Sequence, residues 1–196
     1  MLSFVIQIFI CDPCFSQNKL IVLGDSLTEG YGVSKDSAFP TILEEKLKAS
    51  GKNWTVINAG VTGSTTASAV SRLKWLLRAK PDAVLVILGG NDGLRGIKVP
   101  ESQKNLSAAI ELIQKEKKKV ILGGLYMPPN YGLEYTAQFR KMYADLAKKY
   151  SVPLIPFILD KVAGDPNYNQ SDGIHPNEKG HKIIAETIFS SLKEYL

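Results

Sequence analysis

Five residues have the types and settings that serine-based hydrolysis requires: Ser26, Gly60, Asn91, Asp172 and His175. That chemistry needs a hydroxyl activated by a base within hydrogen-bond reach, a group that orients the base, and donors aimed at the developing oxyanion. The sequence has two histidines. His175 sits in Ser171-Asp172-Gly173-Ile174-His175-Pro176, where the following proline and the upstream aspartate let one ring nitrogen face Ser26 and the other Asp172. Asp172-Gly173 is equally ordinary turn chemistry. His181 falls inside the final helical segment and reads as structural. Asn91 could turn its amide toward a substrate oxygen and Gly60 permits close backbone approach, although each taken singly also serves as a turn residue.

The elements that must position these residues follow from hydrophobic periodicity. Leu20-Ile21-Val22-Leu23 reads as a buried strand that stops at Gly24-Asp25-Ser26, which taken alone is also an ordinary turn. Phe39 to Ala49 has helical spacing with Pro40 in its first turn and Gly51 as its stop. Trp54 to Asn58 is a second strand, ending in the small-residue loop Asn58 to Thr66. A helix is expected from about Ala67 to Ala79. Ala83 to Leu88 is uninterruptedly aliphatic, as in a strand buried on both faces, and ends in Gly89-Gly90-Asn91-Asp92-Gly93. Helices are then expected over Glu101–Glu116, Glu134–Tyr150 and Asn177–Tyr195, with strands at Val120–Leu125 and Pro153–Pro156 and a short helical turn near Phe157–Val162. This alternation predicts an α/β parallel sheet with helices on both faces, and loops after its first three strands that share one edge.

Composition narrows the class. At 196 residues, 44% hydrophobic and 22% charged, the chain fits one globular domain with a sizeable core. A net charge of +5 raises the question of nucleic acid. The basic run Lys115-Glu116-Lys117-Lys118-Lys119 lies at a helix end, where lysines suit the dipole, and no aromatic residues interleave it; no nucleic-acid partner is expected.

Residues 1–16 read as a secretory leader, making 17–196 the mature domain. Met1 to Ile10 is too short to span a bilayer, and Cys14-Phe15-Ser16 offers small residues for cleavage, although no Lys or Arg precedes the apolar run. A periplasmic or secreted location is therefore expected, with the cytoplasm as the alternative, and no stable membrane insertion after leader removal. Cys11 and Cys14 form a C-x-x-C pair without the strand and helix of a redox centre, and both fall in the leader, so a mature chain starting at Gln17 would hold no cysteine and need no disulfide.

Gly24-Asp25-Ser26-Leu27, Asn58-Ala59-Gly60, Gly89-Gly90-Asn91-Asp92 and Asp172-Gly173-Ile174-His175-Pro176 resemble, in order, the blocks of the SGNH (GDSL) hydrolases. The runs around Asn91, Pro129-Asn130-Tyr131-Gly132 and Asp172 to Asn177 look like the bacterial thioesterase I / lysophospholipase L1 / arylesterase branch. The resemblance implies a flavodoxin-like fold with five strands in the order 2-1-3-4-5 and no cofactor or metal. It assigns Ser26 as nucleophile, His175 as base and then acid, Asp172 as orienting carboxylate, and Ser26, Gly60 and Asn91 as oxyanion donors. Aryl esters, short- to medium-chain acyl esters, acyl-thioesters and lysophospholipids are the implied small-molecule substrates, with a monomer expected. Thr28 stands where α/β-hydrolases place the second glycine of G-x-S-x-G. A carbohydrate O-acetyl esterase or acyltransferase on the same fold is the alternative. A nucleotide-binding module is more remote, because the first strand is followed by no glycine-rich phosphate motif.

Overall fold

The computed structural model describes residues 17–193 and 195–196; the leader and the Cys11–Cys14 pair lie outside the described residues. Strand β1 (Asn18–Gly24) pairs with β2 (Trp54–Gly60) on one side and β3 (Ala83–Ile87) on the other, followed by β4 (Lys119–Gly123) and β5 (Leu154–Ile155). All are parallel, and the order β2-β1-β3-β4-β5 is the one expected. Leu20 to Leu23 and Ala83 to Leu85 are wholly buried because both strands have neighbours at their sides and helices above and below.

The register brings the candidate loops together. Gly24 lies opposite Gly60 on one side and Ile87 on the other, so β1, β2 and β3 stop level. Right-handed crossovers in opposite directions then send helices to opposite faces. Helix α2 (Phe39–Ala49) packs against α7 (Glu178–Leu192), while α3 (Ala69–Leu76) and α6 (Leu133–Tyr150) both pack against α5 (Val99–Lys115). In α2 the core face is Phe39, Leu43 and Leu47, all 0% exposed at helical spacing; burying each stabilises the fold by about 1.5–3 kcal/mol.

Four local expectations need correction. The segment expected as one helix over 67–79 is α3 flanked by 3-10 turns at Thr66–Ser68 and Leu77–Ala79, its start fixed by Thr66 N–H donating 2.9 Å to Asp92. Strand β5 has two residues, because Pro153 and Pro156 flank it and supply no N–H. The stretch near Phe157–Val162 forms turns without a helix. Two short helices, α1 (Ser26–Glu29) and α4 (Gly90–Leu94), occupy what read as loops.

Gly60 shows how closely α1 is seated on the sheet. A Cβ there would lie 2.0 Å from the backbone nitrogen of Glu29. Gly60→Ala is therefore expected to destabilise the protein by about 1–3 kcal/mol, a fall in Tm of roughly 2–4 °C per kcal/mol, read by thermal melting. An unchanged Tm would mean that α1 is not packed on β2 this tightly.

Candidate active site

The end of β1 is built as a tight turn. Asp25 caps α1, its Oδ1 accepting the Leu27 N–H at 3.1 Å, and Gly30 closes α1 in the left-handed region at φ 86°. Gly24 is required because a Cβ would meet Thr28 Oγ1 at 1.9 Å. Ser26 follows at the first position of α1, where its N–H has no acceptor within the helix. Its side chain opens into a cavity of about 580 Å³, which Asn91 and His175 also line.

His175 Nε2 lies 3.1 Å from Ser26 Oγ, and Nδ1 lies 2.7 Å from Asp172 Oδ2. The other carboxylate oxygen accepts the backbone N–H groups of Ile174 (2.9 Å) and His175 (3.0 Å). These bonds, the backbone one from His175 first and its ring next, hold the Asp172 carboxyl down at about 2. An ionised Asp172 accepts a hydrogen bond, so Nδ1 carries the hydrogen, and in the neutral imidazole this leaves the Nε2 lone pair toward the serine.

The loop is fixed from outside as well. Gln170 Nε2 donates to the carbonyls of Tyr31 (2.7 Å) and Pro176 (3.0 Å), and Gln170 N–H donates to His175 O at 2.8 Å. The Tyr31 ring packs 4.6 Å from the His175 imidazole.

Asn91 Nδ2 donates to Ser64 O at 3.0 Å and makes a long 3.4 Å contact with Asp25 Oδ2. Its nitrogen thus faces the Ser26 turn. Gly60 is placed differently from the expectation. Its N–H is donated to Asn58 Oδ1 at 2.9 Å, it does not line the cavity, and its missing side chain makes room for α1. Gly63, three residues on, has φ 78° and an N–H without an acceptor among the described residues. His181 has the structural role expected of it: 1% exposed, it accepts the Phe39 N–H at Nδ1 (3.2 Å), and burial lowers its pKa to about 4.

Three supporting residues escaped the sequence reading. Asp92, 1% exposed, accepts from Thr66 N–H and Thr66 Oγ1 and from Ser102 Oγ (3.0 Å), lashing the loops after β2 and β3 to α5. Arg72 reaches the carbonyls of Gly24 and Ala59; it stands in a helix with no acidic neighbour, and that was the available signal. Asp25 is 2% exposed, and burial pushes its carboxyl up to about 6 against the opposing bonds from Leu27 N–H and Asn91.

Leu27, Leu94, Leu125, Met127, Phe157 and Ile174 supply most of the apolar wall. Tyr126, which also lines the cavity, stacks its ring on Phe157 at 4.2 Å, and the Arg140 guanidinium lies 4.7 Å over the Tyr126 ring.

A five-stranded parallel sheet in this order, with its serine just past the interior strand β1 at the point where the strand order reverses, has the architecture of the SGNH class of hydrolases. Comparison with known proteins agrees. Residues 22–183 match the model of the GDSL-like Lipase/Acylhydrolase family. An arylesterase of Vibrio mimicus is 39% identical over 199 residues, spanning 100% of this chain and 98% of that protein. Thioesterase 1/protease 1/lysophospholipase L1 of Escherichia coli K12 is 34% identical, spanning 98% and 91%. The crystal structure of TesA superposes with a TM-score of 0.88 at 36% identity, covering 91% of this chain and 100% of that one. This chain belongs to the GDSL-like lipase/acylhydrolase family and is a carboxylic ester hydrolase.

Asp25 gives a test of the site's electrostatics. Because its folded pKa is raised from 3.8 to about 6, the stability it contributes is fully present below about pH 3.8 and lost as pH rises through 6. Asp25→Asn is expected to gain stability relative to the parent between about pH 4 and 7, with the difference level above that. Paired thermal melts across this range check it, and a flat difference would contradict the burial argument.

Proposed function

We propose that this protein is a serine esterase that cleaves carboxylic ester and thioester bonds through an acyl-enzyme on Ser26. The observation that carries the reading is the continuous chain Ser26 Oγ–His175 Nε2 (3.1 Å) and His175 Nδ1–Asp172 Oδ2 (2.7 Å). Ser26 Oγ attacks the acyl carbon while Nε2 takes its proton, and Asp172 stabilises the imidazolium that forms. The oxyanion is received by Ser26 N–H and Asn91 Nδ2; the long contact to Asp25 is the one that yields. Gly63 N–H is the second backbone donor in this reading, in place of Gly60, whose N–H is already used. Collapse expels the alcohol or thiol, with the proton returned from His175 to an alkoxide. Water then repeats the sequence on the acyl-enzyme.

The substrates are aryl esters, short- to medium-chain acyl esters, acyl-thioesters and lysophospholipids. An apolar cavity of about 580 Å³ suits an acyl chain. The exposed apolar side chains also favour amphiphiles: Tyr31, Val61, Leu94, Leu133 and Ile174 come from five different segments that follow the strands at this edge or lead into α7. The enzyme acts as a monomer in the periplasm or outside the cell, to be checked by gel filtration and cell fractionation. Among the described residues no helix is long and apolar enough to cross a membrane.

Two substitutions test the mechanism. Ser26→Ala should abolish turnover across a panel of aryl esters, acyl-thioesters, lysophospholipids and acetylated sugars; near-normal turnover would end the assignment, and a preference for acetylated sugars would move the substrate class. Asn91→Ala should lower kcat roughly 10²–10³-fold with little change in KM. A change confined to KM would make Asn91 a substrate contact without a role in the transition state.

A further inference from the structure

We propose that Arg72 is a positioning residue for acyl transfer: its guanidinium fork ties the carboxyl ends of β1 and β2 together and so sets the height of Ser26 against the donors on the neighbouring loops. The inference rests on the reading of Ser26 as nucleophile.

Arg72 projects from α3 and donates through Nη1 to Gly24 O at 2.9 Å and through Nη2 to Ala59 O. Gly24 is the last residue of β1 and stands two residues before Ser26. Ala59 is the penultimate residue of β2, directly before the segment Gly60 to Thr66. Gly24 O also accepts the Val61 N–H at 3.2 Å, so one carbonyl is held both by the loop after β2 and by α3. Release of the fork would leave these two strand ends held by their own pairing and the Val61 N–H alone, at the point where the chain leaves the sheet for the site.

The choice of residue argues for position over bulk packing. The guanidinium is half-buried, burial weakens its cation, and the charge of nearby Asp25 opposes that weakening. Among the described residues no carboxylate is hydrogen-bonded to it. A half-buried cation without a bonded carboxylate is costly where packing alone is needed. A planar fork, however, can satisfy two carbonyls on different strands at once, which an ammonium cannot match in geometry. On the far side of the same turn Asp25 Oδ2 touches Asn91 Nδ2 at 3.4 Å, so a shift of the turn moves nucleophile and donor relative to each other. Misplacement by about 1 Å can lower an enzymatic rate on the order of 10²-fold.

The test uses Arg72→Met and Arg72→Lys beside the parent and Ser26→Ala. Steady-state kinetics on a neutral aryl ester are expressed per reactive serine, counted by stoichiometric release of p-nitrophenol from an alkylphosphonate ester. Arg72→Met is expected to lower kcat by about 10–100-fold with KM within about twofold, and Arg72→Lys to melt close to the parent yet recover only part of kcat. Loss of reactive serine in a variant that still melts cooperatively counts the same way. The proposal is overturned if either variant keeps parental kcat per serine, if the change lies in KM, if lysine restores kcat fully, or if neither variant melts cooperatively, since Arg72 would then be a brace for the whole fold. An active Ser26→Ala would instead remove the reading beneath the proposal.

Discussion

The contact between Ser26 Oγ and His175 Nε2 joins residues 149 positions apart, and the rest of the molecule is arranged to keep that 3.1 Å distance. One partner stands at the end of the interior strand β1 and the other on a loop near the end of the chain. Neither could hold its place by local structure alone. The serine is fixed because β1 is buried on both faces and paired on both sides. The histidine is fixed because Asp172 folds back on the loop's own N–H groups and Gln170 fastens that loop to Tyr31, five residues beyond Ser26.

Around that contact polar side chains cross-link the strand ends and the loops that follow them. Arg72 takes the carbonyls of Gly24 and Ala59, Asp92 takes Thr66 and Ser102, and Asn91 spans Ser64 and Asp25. Each bond crosses from one loop or element to another. Ser26 and the groups proposed as oxyanion donors are thus held in place before a substrate arrives, which is the condition under which fixed dipoles stabilise developing charge well. Asp25 sits among these cross-links as a carboxyl that burial pushes up to about 6, and its stability cost at neutral pH is consistent with a functional placement.

Much of this was legible in the sequence because the signals were of period and spacing. The aliphatic run Ala83–Leu88 has the pattern of an interior strand, and the sequence order of strands and helices predicted the sheet. Ser26, His175, Asp172 and Asn91 stood out because their residue types recur at the ends of successive elements. Gly60 was misjudged for a physical reason: a glycine needed for close approach looks the same whether the approaching group is a substrate or, as here, the backbone of α1. Arg72 and Asp92 were missed because their partners are backbone carbonyls and hydroxyls on distant segments, and such pairings leave no spacing in the chain. The short β5 was overcalled because Pro153 and Pro156 set the limits of pairing, which hydrophobicity does not register.

The central claim, that Ser26 is the nucleophile, is tested most directly by mass spectrometry of the enzyme after inactivation with an alkylphosphonate p-nitrophenyl ester. One phosphonyl group per chain, located on the peptide that bears Ser26 and matched to complete loss of esterase activity, is the expected result. Complete inactivation with the label on another residue, or full activity in a chain fully labelled at Ser26, would contradict it.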